Sequence, residues 1–272
     1  MPTAGERTCV ITGATSEIGL ETVRQLAARG QRVIGLGQDL EECRRAGETL
    51  RQAGRLAGVR FIAADLASIK NVRRAAAAVR KALPGGRLDR LIHNATAFSD
   101  SYLATEDGYE RQFAVNYLAA FLLTRELWPS LVRPAEARII AVSSASHRKA
   151  EIAWDDIMSR RRYSGLRAFR QSKLALVLFA AELNRRVARR FPLRAIGIEP
   201  RLADPGNTRP GGLSAVDAAW SIVRLVTDPP AAVPRDYWRL GRPAEPGPNA
   251  RNAEAALRLW RLSEELTGAD FL

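Results

Sequence analysis

The chain has 272 residues, 46% hydrophobic and 26% charged, enough to bury one full core and too apolar for a disordered chain. Its net charge of +13 raises nucleic acid as a partner, but only Lys70, Lys81, Lys149 and Lys173 are lysines, and the arginines are spread over every segment. Without a basic stripe or an interleaved binding motif, nucleic acid is not expected as a partner, and a phosphate-bearing cofactor or anionic substrate explains part of the charge equally well.

Arg7 to Thr12 is a short β-branched run that ends in a glycine turn, and Ile18 to Ala28 follows as an amphipathic helix. Gln31–Leu36, Val59–Ala63, Arg90–His93, Arg138–Val142 and Leu193–Ile198 read as further strands. Between them lie helices over Asp39–Gln52 and Ala67–Leu83, one carrying Phe113, Asn116 and Phe121, and a long one over Leu166–Arg190. Pro200 to Leu213 reads as a loop, Ser214 to Val226 as a helix, and Asp236 to Leu240 as the last strand. A turn-rich connector from Pro243 leads to a terminal helix, Ala253–Leu266, stopped by Gly268. This alternation predicts a single α/β domain over 1–272: a doubly wound parallel sheet of about seven strands, helices on both faces, with 243–272 as C-terminal connector and helix. Cys9 and Cys43 read as buried small residues, and two cysteines and two histidines spread along the chain offer no metal set. The longest apolar run, Leu174 to Ala181, is too short to span a bilayer, so the expectation is a cytoplasmic protein without a membrane partner.

Thr12-Gly13-Ala14-Thr15-Ser16-Glu17-Ile18-Gly19 lies between the first strand and its helix. Gly13 permits a tight turn, Gly19 permits close packing, and the helix amino terminus offers N–H groups to a pyrophosphate. The segment resembles the TGxxxGxG turn of the short-chain dehydrogenase/reductase family, with Glu17 in place of the middle glycine. Further matches follow in order: Asp65-Leu66, Leu88 to Thr96 (LDRLIHNAT), Thr105 to Thr124, Val142 to His147, and Gln171 to Ala175 (QSKLA). The stretch from Thr105 and the tail from Arg258 to Glu265 are similar to the retinol-dehydrogenase-like branch. The resemblance implies a Rossmann-type fold and an NADP or NAD site formed by Thr12, Gly13, Ser16, Ile18, Gly19, Gln38, Asp65, Leu66, Asn94, Ala95 and Lys173.

The departures carry as much information. Gly37 stands where an aspartate would read the ribose of NAD, and Gln38 where related NADP enzymes have arginine, so cofactor choice stays open. Thr96 replaces the last glycine of the NAG turn and crowds the floor of the cleft. Pro200-Arg201 replaces Pro-Gly, and Pro205 falls where a threonine would meet the nicotinamide carboxamide.

By position, the family's catalytic serine, lysine and asparagine are Ser144, Lys173 and Asn116. Its tyrosine is Phe169, a ring with no ionisable hydroxyl. Acid–base assistance contributes about 10²–10⁴-fold in rate, so an unaided carbonyl reductase is not expected here. Tyr163, six residues upstream, His147 and Tyr102 are the substitute proton donors in view, and Ser143 competes with Ser144 for the substrate oxygen. Lys173, beside an apolar ring, has the surroundings of a base. Phe98, Tyr102, Trp154 and Phe169 read as an apolar pocket for a small hydrophobic substrate. The leading expectation is an atypical enzyme of secondary metabolism doing non-redox proton transfer on a polyketide-like or terpenoid carbonyl compound. The alternatives are a reductase with a substitute acid and a catalytically silent binding protein. The family often pairs through its two central helices, which leaves a homodimer open unless the terminal helix covers them.

Overall fold

A computed structural model describes residues 6–54, 57–188, 190–200 and 214–272. The first half alternates β1 (Thr8–Thr12), α1 (Glu17–Ala27), β2 (Arg32–Gly37), α2 (Leu40–Gln52), β3 (Val59–Ala63), α3 (Ile69–Ala82) and β4 (Arg90–His93). Then α4 (Arg111–Phe113) passes through a π-helical turn, Ala114–Leu118, into α5 (Ala119–Leu131). The second half holds β5 (Ala137–Val142), α6 (Gly165–Val187), β6 (Leu193–Glu199), α7 (Ala215–Thr227), β7 (Tyr237–Arg239), β8 (Arg242–Pro243) and α8 (Ala253–Thr267).

All eight strands form one sheet in the order β3-β2-β1-β4-β5-β6-β7-β8. Strands through β7 pair in parallel, and β8 returns antiparallel. The count exceeds the expected seven because Leu240 and Gly241, both at positive φ, form a two-residue turn that folds Arg242–Pro243 back onto β7. Alternate residues feed two cores: Val10, Leu91, Ile139 and Ala141 face α3, α5 and α6, while Cys9, Ile11, Ile92 and Ile140 face α1 and α7. A sheet covered on both faces needs apolar residues at successive positions, as these strands have.

Buried Arg90 and Arg138 reach from β4 and β5 to the Val226 and Leu225 carbonyls, capping the last turn of α7. The winding reverses between β1 and β4, so their carboxyl ends open the crevice where such sheets bind ligands. The terminal helix α8 lies along α6, and the tail that follows it closes over α5. Trp260 stacks on Phe179 and Phe271 with ring centres 5.8 and 5.0 Å apart, and meets Phe121 edge-on at 5.1 Å. Among the described residues no helix is long and apolar enough to cross a membrane, and no cluster of histidine, cysteine and carboxylate side chains suits a metal. The substitutions read at Arg201 and Pro205 lie outside the described residues.

A candidate dinucleotide cleft and reaction corner

The turn after β1 is built as its sequence demands. Gly13 has φ +63°, and a Cβ there would stand 2.8 Å from the Ala95 Cα. A Cβ on Gly19 would meet the Gly13 carbonyl oxygen at 2.0 Å, so both positions require glycine. Ser16 caps α1: its hydroxyl donates to the Gly13 carbonyl at 2.8 Å and accepts from the Gly19 amide. The Glu17 and Ile18 amides, in the first turn, have no intrahelical acceptor, and the positive end of the helix dipole adds to them. Glu17 itself is exposed.

Thr12 and Asn94 do scaffold work. The Thr12 hydroxyl accepts from the Asn94 and Ala95 amides at 3.0 Å, and the Asn94 side chain donates to the Thr12 and Gly13 carbonyls at 3.1 Å. Together they tie the carboxyl ends of β1 and β4. A cleft of about 480 Å³ runs over this seam, bordered by Gly13, Ser16, Gln38, Asp65, Leu66 and Ala95. Six of the predicted cofactor positions thus meet in one place. A larger groove of about 560 Å³, between α6, β7 and the 244–253 connector, contains none of the predicted site residues. Gly37 has no room for the absent aspartate: a Cβ there would lie 2.6 Å from both the Cys43 Sγ and the Thr15 Cγ2.

Thr96 and Phe98 extend the cleft to the reaction corner. Lys173 is buried on α6, where its amine donates to the Thr96 hydroxyl at 2.8 Å and to the Val142 carbonyl at 3.2 Å. Burial without a carboxylate partner pulls its pKa down to about 7. The folded chain therefore binds this proton less tightly than the unfolded chain. Stability is expected to rise with pH from about 7 toward the ordinary lysine value, and Lys173→Met is expected to flatten that rise in denaturant titrations at stepped pH.

The Phe169 ring, buried, lies 5.6 Å from the Lys173 amine and meets Phe98 edge-on at 5.7 Å. Asn116 sits in the π turn, where one extra residue is wound into the helix. Its side chain accepts from the Ala97 amide and donates to the Ala97 carbonyl and the Ser172 hydroxyl, at 2.6, 3.0 and 2.9 Å. It clamps the cleft floor to α6. The Ser143 hydroxyl is spent on the Lys173 carbonyl at 2.9 Å. Half-buried Ser144 accepts from the Ser146 amide as the cap of the turn Ala145–Lys149, so of the two serines it is the better placed to donate to a ligand.

Four predicted side chains are used elsewhere. The Tyr163 hydroxyl accepts from Gln112 at 2.7 Å and lies 3.1 Å from the Ser99 carbonyl and a Glu110 carboxylate oxygen, and burial first pushes its pKa up to about 12. It braces a loop. Tyr163→Phe is expected to cost about 1 kcal/mol of stability, read by chemical denaturation, while leaving ligand turnover unchanged. Tyr102 leans on Tyr163, ring centres 5.6 Å apart, and does not border the cleft. Trp154 belongs under the terminal helix: the Arg258 guanidinium lies 4.3 Å over its ring, and it lines a groove with Leu174 and Ala255. The turn 153–156, held by the Ala153 amide on Gln171, aims it there. His147 is a staple: its Nδ1 lies 2.7 Å from the Ser144 carbonyl, its Nε2 accepts from the Gly247 amide, and burial lowers its pKa.

Two residues were missed. Thr96 is more than a crowding side chain: the residue is exposed, and its hydroxyl takes the Lys173 amine. Glu42, from the first turn of α2, borders the cleft and accepts from Thr15 at 2.8 Å. Helical periodicity places Glu42 on the strand-proximal side of α2, but no motif marks it.

The model of the short chain dehydrogenase family matches residues 7–210. Human retinol dehydrogenase 13 is 33% identical, over 97% of this chain and 85% of its own length. Mouse polyprenol dehydrogenase is 34% identical, over 99% and 86%. The crystal structure of an uncharacterized protein from Mycobacterium paratuberculosis superposes with a TM-score of 0.84 at 34% identity, covering 100% of this chain and 97% of that one. The chain belongs to the short-chain dehydrogenase/reductase family, in its retinol-dehydrogenase-like branch.

Proposed function

We propose that the chain binds a nicotinamide dinucleotide along the cleft and an apolar alcohol or carbonyl compound, terpenoid or polyketide-like, over Phe98 and Phe169. Its reaction on that compound is a proton transfer without net redox change: a cyclisation, dehydration, isomerisation or epimerisation. The observation that carries this reading is the benzyl ring of Phe169 beside Lys173, with the nearby Tyr163 hydroxyl committed to Ser99, Glu110 and Gln112.

The glycine turn and the first-turn amides of α1 suit a pyrophosphate, and the cleft borders suit the adenosine half. A bound dinucleotide would supply a hydride donor or acceptor. Ser144 donates a hydrogen bond to the ligand oxygen and so polarises the carbonyl. Lys173, with a pKa near 7, takes a proton from the adjacent carbon as the neutral amine and returns it as the ammonium. Thr96 and the Val142 carbonyl hold that amine in place. Asn116 keeps the floor and α6 in register.

The test is deuterium exchange. A ketone or aldehyde of the isoprenoid series is incubated with the protein in D2O while nicotinamide absorbance is followed. Exchange at the carbon next to the carbonyl with constant absorbance is the expected result, lost in Lys173→Met and reduced in Ser144→Ala. Steady substrate-dependent consumption of NADH or NADPH overturns the reading.

A second reading, an ordinary alcohol dehydrogenase or carbonyl reductase, draws support from the names of the relatives, retinol and polyprenol dehydrogenase. It also draws on the Thr96 hydroxyl, open to the cleft and 2.8 Å from the Lys173 amine, as a substitute proton carrier. In that case Thr96→Val abolishes nicotinamide turnover.

A further inference from the structure

Among the residues bordering the cleft, the end near β2 holds a carboxylate and no cation. β2 stops at Gly37, where any side chain would collide with Cys43 and Thr15. Gln38 follows, exposed and neutral. Facing them, the Thr15 hydroxyl of the glycine turn donates to the Glu42 carboxylate at 2.8 Å, and Thr15, Gly37, Gln38 and Glu42 all border the same cleft. Two arginines border this cleft or the groove beside it. Arg111 borders the cleft from α4, beside Leu103 and Val115. Arg74 borders a separate groove of about 360 Å³ that shares Gln38 and Asp65 with the cleft.

Dinucleotide folds distinguish the two cofactors at this end of the site. A carboxylate accepts from the free adenosine ribose hydroxyl, whereas a cation is needed for the 2′-phosphate. Resting on the dinucleotide reading above, we infer that Glu42 is the specificity residue and that the chain selects NAD(H) over NADP(H). The carboxylate, steadied by Thr15, takes the ribose hydroxyls in place of the aspartate that Gly37 excludes. A 2′-phosphate at the same spot meets like charge in a partly enclosed cleft, where repulsion is screened less than in water.

The experiment is direct titration of the purified protein with NADH and with NADPH, followed by calorimetry, on the unaltered chain and on Glu42→Gln, Arg74→Ala and the double variant Gln38→Arg/Glu42→Lys. NADH is expected to bind at least about tenfold more tightly than NADPH. Glu42→Gln is expected to narrow that ratio and the double variant to reverse it, each with an unchanged melting profile as the check on folding. Equal or tighter binding of NADPH by the unaltered chain overturns the inference while the dinucleotide reading stands, and its loss in Arg74→Ala would identify Arg74 as the reader instead. A ratio indifferent to Glu42→Gln also overturns it. Binding of neither cofactor overturns both this inference and the dinucleotide reading.

Discussion

Phe169→Tyr is expected to raise nicotinamide-dependent turnover of an isoprenoid aldehyde or alcohol by about 10²–10⁴-fold over the unaltered chain. The Lys173 amine lies 5.6 Å from the centre of this ring, Ser144 retains a hydroxyl, and Asn116 ties Ala97 to Ser172. What the ring lacks is an ionisable proton. Phe169→Leu serves as the control, since it alters packing without adding an acid and should gain nothing. A second substitution sharpens the outcome. In the present structure the Lys173 amine is committed to Thr96, so Phe169→Tyr combined with Thr96→Gly is expected to exceed Phe169→Tyr alone. Absorbance at the nicotinamide band under matched enzyme concentrations reads all four proteins. If Phe169→Tyr and the double variant both stay at background, the hydride-transfer geometry has been lost along with the phenol.

Trp260→Ala is expected to destabilise the fold by about 3–5 kcal/mol, read as a lowered denaturant midpoint. The indole is almost wholly buried, stacked between Phe179 and Phe271 and braced edge-on by Phe121. Its N–H donates to the Phe271 carbonyl at 3.2 Å and to Glu264 at 3.1 Å, and the Arg186 guanidinium lies 4.4 Å over the ring. Alanine removes the ring from a site whose walls come from three helices and the 269–272 tail, so the cavity cannot simply collapse. Trp260→Phe keeps the stacking and loses the N–H, and should recover more than half of the deficit. An equal loss in both variants would move the weight from packing to the two hydrogen bonds.

The strands and helices of the sheet were legible because each strand is a short apolar run between amphipathic helices, and because the turn after β1 needs two glycines for steric reasons visible in its spacing. β8 escaped notice since two residues, one of them proline, carry no periodicity. The π turn escaped for a related reason: one extra residue in a mostly buried helix leaves the apolar pattern almost unchanged while rotating Asn116 toward Ala97. Side-chain direction is the feature the sequence specifies least. Trp154 and Tyr163 lie close in sequence to the reaction corner, yet a tight turn carries the first to α8 and a polar network ties the second to Glu110 and Gln112. Glu42 is not legible in the sequence because the family resemblance points to a charge on β2, whereas the structure delivers it from the helix that follows.

The tail that closes over α5 and α6 has a thermodynamic corollary. In a protein that buries such a face against a second copy, folding free energy depends on protomer concentration. Here the covering group is tethered, and its local concentration is set by the chain. The share of heat resistance that this packing contributes should therefore not vary with dilution.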